Sequence, residues 1–540
     1  MAPRNFSPIT VPGGQVVASN FELYDGNLLV ENKRSMRMMR LPAELWVDRH
    51  NILAIVNHHL GSQGGLFTTV EPREDWGEGE FKLSFMVEGE RTLKNAEGKV
   101  FVQVFEPISN GEDAHPGAVE ERMRVDIASW ALFRKASPGI RTPQILGFGF
   151  PNGSQFTHVS QMSQEDIASY VRRREEMDPN DVDTLLTPFV ADECGNKMPV
   201  GCGYIIYEAI EGPGKLLGDV WNTNQTMAQN KTLWSSLASL ILNLARTPRT
   251  KIGSYSFNND GTATLSNRPG YNTIFQLERD GGTPTMRRDK TYTSSTEFVE
   301  DVLRIQDDRV VKHPNAIASE RHCREQMSFR TILHGLIHHL IHAESCDGVF
   351  VPQIIDFDLD HFMVDEDWNI ICVLDVGSIA VLPIEMVHEP EWLTGVLVDV
   401  GENTFSARIA RPGFIHLVRQ RQRELGVEIR GPAGTIQLAD VMREVWDTKA
   451  YWFFLTLMTA YDMSDIAGPE LLPRFSELCD EEVEEVGVSV WGPDPAGVVQ
   501  RAMQNRYRYF RQIADKFGPG GELGPDREEL RIGGVTTNFI

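Results

Sequence analysis

Four aspartates concentrate the chemistry of this chain. Asp356, Asp358 and Asp360 lie in the run DFDLDHF, and Asp375 follows the apolar stretch IICVL. Carboxylates held together on strand ends can neutralise Mg²⁺ and orient a hydroxyl toward a phosphate. They can equally be solvated turn residues, since acidic loops are common. Between them lie two apolar runs, Phe362–Val364 and Ile370–Leu374, separated by the polar stretch Asp365–Asn369. That is the pattern of a β-hairpin with a polar turn. A hairpin returns its ends to one place, so Asp356 and Asp375 are expected to approach each other.

Other chemistries leave weaker marks. His334, His338 and His342 lie four apart and share a helical face, a spacing open to zinc or nickel. Gly335 and Leu336 follow His334, so the glutamate of a HExxH enzyme is missing, and packing or interface histidines are the plainer reading. No G-x-S-x-G elbow and no G-x-x-x-x-G-K-S/T loop occurs. Gly77 and Gly79, placed before a strand, could let the backbone close over a phosphate, or form an ordinary turn.

The elements that must hold these groups come from a chain of 540 residues, long for a single core. With 41% hydrophobic residues it has the make-up of a globular protein. A formal charge of −24 argues against nucleic acid or an anionic membrane surface as a partner, and is compatible with a cationic one. The six cysteines form no CxxC pair, which suggests a reducing compartment. No signal-like or transmembrane-length apolar run is present, so cytosol is the expectation.

Along the chain, residues 1–45 read as irregular and Leu41–Leu60 as a helix with Pro42 near its start; the pair His58–His59 reads as surface. GEGEFKLSFMVEG and KVFVQVFEP alternate as strands around the loop RTLKNAEG. A helix is expected over Ala118–Ala136 and a strand within Thr142–Phe150. The polar stretch Pro151–Val200 reads as an inserted helix or excursion rather than a fold element. Tyr204–Ala209 is a buried strand, and Gly-Pro punctuation places a lobe boundary near Glu211–Lys215. Beyond it, Leu233–Leu244 reads as a central helix, Lys251–Pro269 as a hairpin, and Glu320–Ala343 as a long helix. After the acidic hairpin, helices are expected at Gly413–Glu424, Leu438–Ala460, Leu471–Glu485 and Gly497–Ala514. This order describes an α+β, two-lobed chain with a cleft between lobes. An N-terminal extension covers 1–76, a small lobe 77–211, a helical lobe 212–520, and a flexible tail 521–540.

On these residues the chain resembles the aminoglycoside/choline kinase-like phosphotransferases, in particular their fungal branch. DFDLDHFMVDEDWNIICVLD is similar to that family's catalytic hairpin; GYIIYEAIEG with KLLGDVW, KIGSYSF, NRP at Asn267–Pro269 and PEWLTG at Pro390–Gly395 add to the likeness. The resemblance spans about Gly77 to Gly395. It implies a protein-kinase-like fold, ATP with Mg²⁺ or Mn²⁺, and a small-molecule hydroxyl as acceptor. Asp356 falls on the catalytic aspartate and Asp375 on the metal-binding one. Ile354 stands where the family has the histidine of His-x-Asp, and His361 where it has a metal-holding asparagine. Gln103 occupies the place of the phosphate-binding lysine or arginine, with Asp126, or else Glu121, as the acidic helix partner. Tyr207 is expected to border adenine, with backbone groups of Glu208 and Ile210 bonding its edge. A cationic substrate is expected against Asp356 and Asp358, lined by Trp446, Tyr451 and Trp452 unless these pack the helical core.

Two functions follow. One is transfer of the ATP γ-phosphoryl group to a small-molecule hydroxyl. The other is a pseudokinase-like binding or scaffold protein, because three nucleotide-site positions depart from the family pattern.

Overall fold

The computed structural model describes residues 8–11, 14–17, 20, 26–60, 67–89, 98–178, 181–192, 195–199, 201–210, 212–221, 226–281, 286–341, 348–377, 379–394, 404–432, 434–459, 464–475 and 480–518. The expectations for most of the RTLKNAEG loop, for His342 and for the tail 521–540 lie outside the described residues.

A short hairpin, β1 (Ile9–Val11) and β2 (Gly14–Val16), packs on the first helix, α1 (Leu28–Val47). Asn27 caps α1, its side chain accepting from the N–H groups of Leu29 and Val30. The helix therefore starts well before Leu41, and Pro42 lies inside it rather than at its start. Its first turns looked irregular because their buried residues include Glu31, Asn32 and Arg34, polar groups that composition assigns to a surface. Glu31 and Arg34 pair at 3.0 Å. A second helix, α2 (Arg49–Leu60), follows. Its His59 is buried, not surface, with its ring bonded to Thr157 at 2.5 Å and Tyr204 at 2.8 Å. Periodicity alone could not show that a sheet closes over this side of the helix.

That sheet belongs to the small lobe. Its chain order is β3 (Phe67–Val70), β4 (Gly77–Glu78), β5 (Lys82–Gly89), β6 (Lys99–Phe105), α3 (Ala118–Ala136), β7 (Ile145–Gly149), β8 (Gln155–His158), α4 (Gln164–Glu176), β9 (Thr184–Leu186), β10 (Phe189–Ala191) and β11 (Gly203–Glu208). In space the antiparallel order is β10-β8-β7-β11-β6-β5-β3, with β4 also on β5. Strand alternation divides the sheet's two faces. Leu83, Phe85 and Val87 stand opposite Val104, Val102 and Val100, and all six are buried with α1 and α2 residues. Lys82, Ser84, Met86, Phe101 and Gln103 take the opposite face.

The stretch 151–200 is more than an excursion. It adds β8 and β10 to the main sheet, and β9 pairs with a strand of the large lobe. Strands of three or four residues in a polar stretch are too short to show alternation.

The chain crosses to the large lobe through β12 (Lys215–Leu216) and α5 (Leu217–Val220). Next come α6 (Met227–Ala245), β13 (Ser254–Phe257), β14 (Thr262–Asn267), α7 (Asn272–Arg279), α8 (Ser295–Lys312) and α9 (Glu320–Leu340). A pair of nested ladders follows: β15 (Phe350–Ile354), β16 (Phe362–Val364), β17 (Ile370–Val373) and β18 (Ile379–Pro383). The inner pair is β16 with β17, the outer pair β15 with β18, and β12 lies against β16. The rest is mainly helical: α10 (Glu391–Thr394), α11 (Thr404–Glu424), the hairpin β19 (Ile429–Gly431) and β20 (Gly434–Ile436), then α12 (Leu438–Asp447), α13 (Ala450–Met458), α14 (Ser464–Phe475), α15 (Asp480–Val490) and α16 (Pro495–Phe517). The single helix expected over Leu438–Ala460 is two, because Lys449 takes a left-handed φ of 68° between them. The result is the expected α+β, two-lobed architecture: a β-rich N-terminal lobe, then a helix-rich one. Among the described residues no helix is long and apolar enough to cross a membrane.

Candidate active site

The nested ladders explain why two distant aspartates share a site. Ile354 pairs with Ile379 in the outer ladder, and Phe362 with Val373 in the inner one. The intervening segments, one carrying Asp356 and the other Asp375, therefore leave the two ladders at the same end. His361 joins them. Its Nδ1–H donates to the Asp356 carbonyl at 3.1 Å, and its own carbonyl accepts from Leu374 N–H at 2.7 Å. The indole of Trp392, in the segment PEWLTG, donates to the Phe357 carbonyl and secures the loop next to Asp356.

Above this loop, Lys82 at the start of β5 reaches down from the sheet. Its ammonium lies 2.8 Å from Asp126 of α3 and 3.5 Å from Asp375. Burial works against its charge, but the two carboxylates overcome that and hold its pKa above the ordinary lysine range. Burial would also raise the Asp375 carboxyl. Lys82, the nearby His361 ring and the Gly377 N–H at 2.8 Å instead hold it well below the usual carboxylate range. Asp375 is thus a carboxylate at any ordinary pH. Gly377 is required by close approach, because a Cβ there would meet the Asp126 carboxylate at 2.8 Å.

Between the lobes lies a cleft of about 480 Å³. Met86, Phe101 and Gln103 come to it from the sheet, and Tyr207, Glu208, Ala209 and Ile210 from the interlobe strand and the connector after it. Asp126, His361 and Asp375 line its polar end. Adjacent to that end, Arg122 of α3 stacks over Phe81 at 3.6 Å and Phe275 at 4.7 Å. Asp126, Glu80, Asp375 and Asp356 all act on its charge, which places both expected catalytic carboxylates around one point.

The residues anticipated from sequence divide into those the fold gathers and those it separates. Gln103, Asp126, Tyr207, Glu208, Ile210, His361 and Asp375 line the cleft, whereas Asp356 lies outside its lining and is tied to it through His361, which bonds the Asp356 carbonyl. Glu121 does not; it is bonded to Arg268 at 2.8 Å and to Arg288 at 2.8 Å. Gly77 and Gly79 are outside the cleft lining. Gly77 pairs opposite Ser84, and Gly79 donates its N–H to the Lys82 carbonyl at 2.8 Å, so they shape the hairpin that presents Lys82. Asp358 is exposed and accepts from the Asp360 N–H at 3.0 Å.

Trp446, Tyr451 and Trp452 are outside the interlobe cleft lining and pack the helical lobe. Tyr451 and Trp452 are buried, and the Arg411 guanidinium lies 5.1 Å from the Trp446 ring and 4.3 Å from Tyr451. Their apolar neighbours on α13, Phe453 to Leu457, draw the helix into the core. Of the three histidines weighed as a metal set, His334 bonds Asp307 at 2.8 Å, and no metal-binding group of three is present among the described residues.

The cation missed in the sequence is Lys82. The signal was present in strand parity: with Leu83, Phe85 and Val87 facing inward, Lys82 must share a face with Gln103, whose β6 register partner is Ser84.

No family model matches the chain, and no curated protein matches it. Among solved structures it is similar to a macrolide 2'-phosphotransferase type I, with 11% identical residues and a TM-score of 0.33, over 82% of this chain and 95% of that one.

Proposed function

We propose that the protein is an ATP-dependent phosphotransferase acting on a hydroxyl of a small molecule, allied to the aminoglycoside/choline kinase-like family and its fungal branch. The observation that carries this reading is Lys82 held between Asp126 and Asp375, the two carboxylates that line the polar end of the interlobe cleft. A buried, charged lysine flanked by one helix carboxylate and one loop carboxylate is the arrangement that orients nucleotide phosphates in kinase folds. It also meets the deficiency at Gln103, because the cation comes from the neighbouring strand.

In this reading residues 77–211 bind ATP and residues 212–520 supply catalysis and acceptor binding. Tyr207 borders the adenine, and backbone groups of Glu208 and Ile210 bond its edge. Asp375 and His361 are the divalent-ion ligands. Their chemistry fits: Asp375 is anionic, and the Nδ1–H bond of His361 to the Asp356 carbonyl leaves Nε2 with its lone pair. Mg²⁺ usually takes few protein ligands and completes its shell with phosphate oxygens and water, while an imidazole ligand also admits Mn²⁺. When bound, the ion neutralises phosphate charge.

The residues of the chain then do three things. Lys82 holds the phosphates, Asp126 holds Lys82, and Asp356 accepts the proton of the acceptor hydroxyl. The acceptor oxygen bonds the γ-phosphorus as the bond from that phosphorus to the bridging oxygen breaks. ADP departs with the electron pair, and the phosphorylated acceptor carries the phosphoryl group. Asp358 and Asp360 at the rim suit a cationic acceptor in a cytosolic setting.

Labelled ATP incubated with the purified protein, Mg²⁺ or Mn²⁺ and a broad mixture of hydroxyl-bearing metabolites tests the proposal. Transfer of label by the wild type and its loss in Asp356→Asn is the expected result. Ion-independent nucleotide binding, or none, with no transfer to any acceptor would favour the pseudokinase-like reading that the substitutions at Ile354, His361 and Gln103 motivate.

A further inference from the structure

A second concavity, of about 660 Å³, lies behind the interlobe connector, between the end of α3 and the start of β7. Arg134, Arg141 and Gln144 line it, with Thr142 and Glu208 at the wall it shares with the nucleotide cleft. We propose that this pocket binds a small multivalent oxyanion, held by the guanidinium groups of Arg134 and Arg141 and by the hydroxyl of Thr142. The proposal does not rest on the phosphotransfer reading.

Three observations carry it. First, the sign of charge is locally reversed. The chain has a formal charge of −24, yet two arginines converge on one polar cavity whose single carboxylate is Glu208. A basic residue in the last turn of a helix is ordinary, since it complements the helix dipole, and that alone would account for Arg134. It does not account for Arg141, which the loop carries back to face the same space.

Second, the guanidinium groups have capacity. Among the described residues Arg134 makes no ion pair, and its charge sits over the Trp130 ring at 5.0 Å. Arg141 gives one terminal nitrogen to Glu208 and is otherwise half-exposed, with further N–H groups for a second acceptor. Its backbone is fixed, the carbonyl accepting from Val373 N–H at 2.9 Å.

Third, the wall between this pocket and the nucleotide cleft holds an unsatisfied donor. Thr142 is only 5% exposed, and its hydroxyl has no hydrogen-bond partner. A buried hydroxyl without a partner costs free energy, and an oxyanion entering from this side would satisfy it. Two fork-shaped cations and one hydroxyl converging on a polar cavity are the groups that recognise phosphate or carboxylate oxygens.

Calorimetric titration of the full chain at constant ionic strength, with pyrophosphate and with citrate as probes, tests this. Saturable one-to-one binding of at least one probe is expected, and which probe binds identifies phosphoryl or carboxylate chemistry. Arg134→Gln, on an exposed side chain, and Thr142→Val, close to isosteric, should each weaken it by roughly 10- to 100-fold, the range for removing a hydrogen bond to a charged group. Lys82→Met should leave it unchanged, which separates this pocket from the nucleotide cleft. Absence of saturable binding by both probes, wild-type affinity in Arg134→Gln, or loss of binding in Lys82→Met would overturn the proposal.

Discussion

Asp356 and Asp375 are chemically alike and placed to do different things. Asp375 lies against Lys82 and is held ionised, whereas Asp356 lies in the loop that Trp392 secures, its carbonyl bonded by the His361 ring. Asp356→Asn should therefore leave ATP affinity nearly intact and lower turnover by about 10²–10⁴-fold, as for a positioned acid–base group. Asp375→Asn should instead weaken divalent-ion-dependent ATP binding. Parallel calorimetry and transfer assays on the two variants distinguish these outcomes. Lys82 and Gln103 offer a second contrast, since both sit on the cleft face of the sheet but only Lys82 is charged. Lys82→Met should weaken ATP binding by about 10-fold or more, the loss of one charge-assisted contact, while Gln103→Met should change it far less. Equal effects in a direct titration would show that the cation had been misplaced.

At the scale of elements, the position of α3 matters most, because it carries both Asp126 and Arg122 to the cleft. Arg268 anchors it. Its guanidinium bonds Glu121 of α3 at 2.8 and 2.9 Å and Glu278 of α7 at 2.9 Å, all three side chains being buried. Asn267 adds a bond to Glu121 at 3.1 Å, so the NRP segment is a tie between lobes. Removing the arginine takes from two buried carboxylates the cation they share, leaving Glu121 only Arg288 and Asn267. Arg268→Met should cost about 3–5 kcal/mol of stability, read as a lowered urea midpoint. A shift under about 1 kcal/mol, the surface-pair range, would mean that α3 is held mainly by its apolar face.

Across the whole molecule, acid sensitivity should come first from the buried His59 and His313 and the half-buried His158. Burial pushes His59 down to about 3, His158 to about 4 and His313 to about 3, in each case from an ordinary value of 6.5. Nearby cations or a neighbouring imidazole push in the same direction. Their folded-state values lie below the unfolded one, so the native state binds fewer protons and stability is complete above about pH 6.5. It is lost as pH falls toward the folded values, with a slope of up to about 4 kcal/mol per pH unit when all three contribute. His59 links α2 to the sheet through Thr157 and Tyr204, so the N-terminal extension should loosen with the small lobe. Urea midpoints between pH 7.5 and 5 measure the slope, and His59→Gln should remove about a third of it. A flat profile over that interval would contradict the burial of these rings.

What the chain revealed unaided was local. Alternation in KLSFMVEG and KVFVQVF, the helix over Ala118–Ala136 and the acidic hairpin are each set by neighbours within a few residues, and each forms with the anticipated type and nearly the anticipated bounds. The approach of Asp356 and Asp375 follows from the same hairpin. Tertiary structure decided whatever depended on a partner far along the chain. The polar turns of α1 are helical because Glu31 finds Arg34 and Arg279 to pair with. The short strands at 155–158, 184–186 and 189–191 exist because sheet edges accept them. Tyr451 and Trp452 lie in the core because α13 is apolar nearly all round, and Trp446 of α12 packs against them. Lys82 is a tertiary result for the same reason: the family resemblance points to one position on β6, but only the pairing of β5 with β6 shows that an adjacent strand brings a cation to the same face.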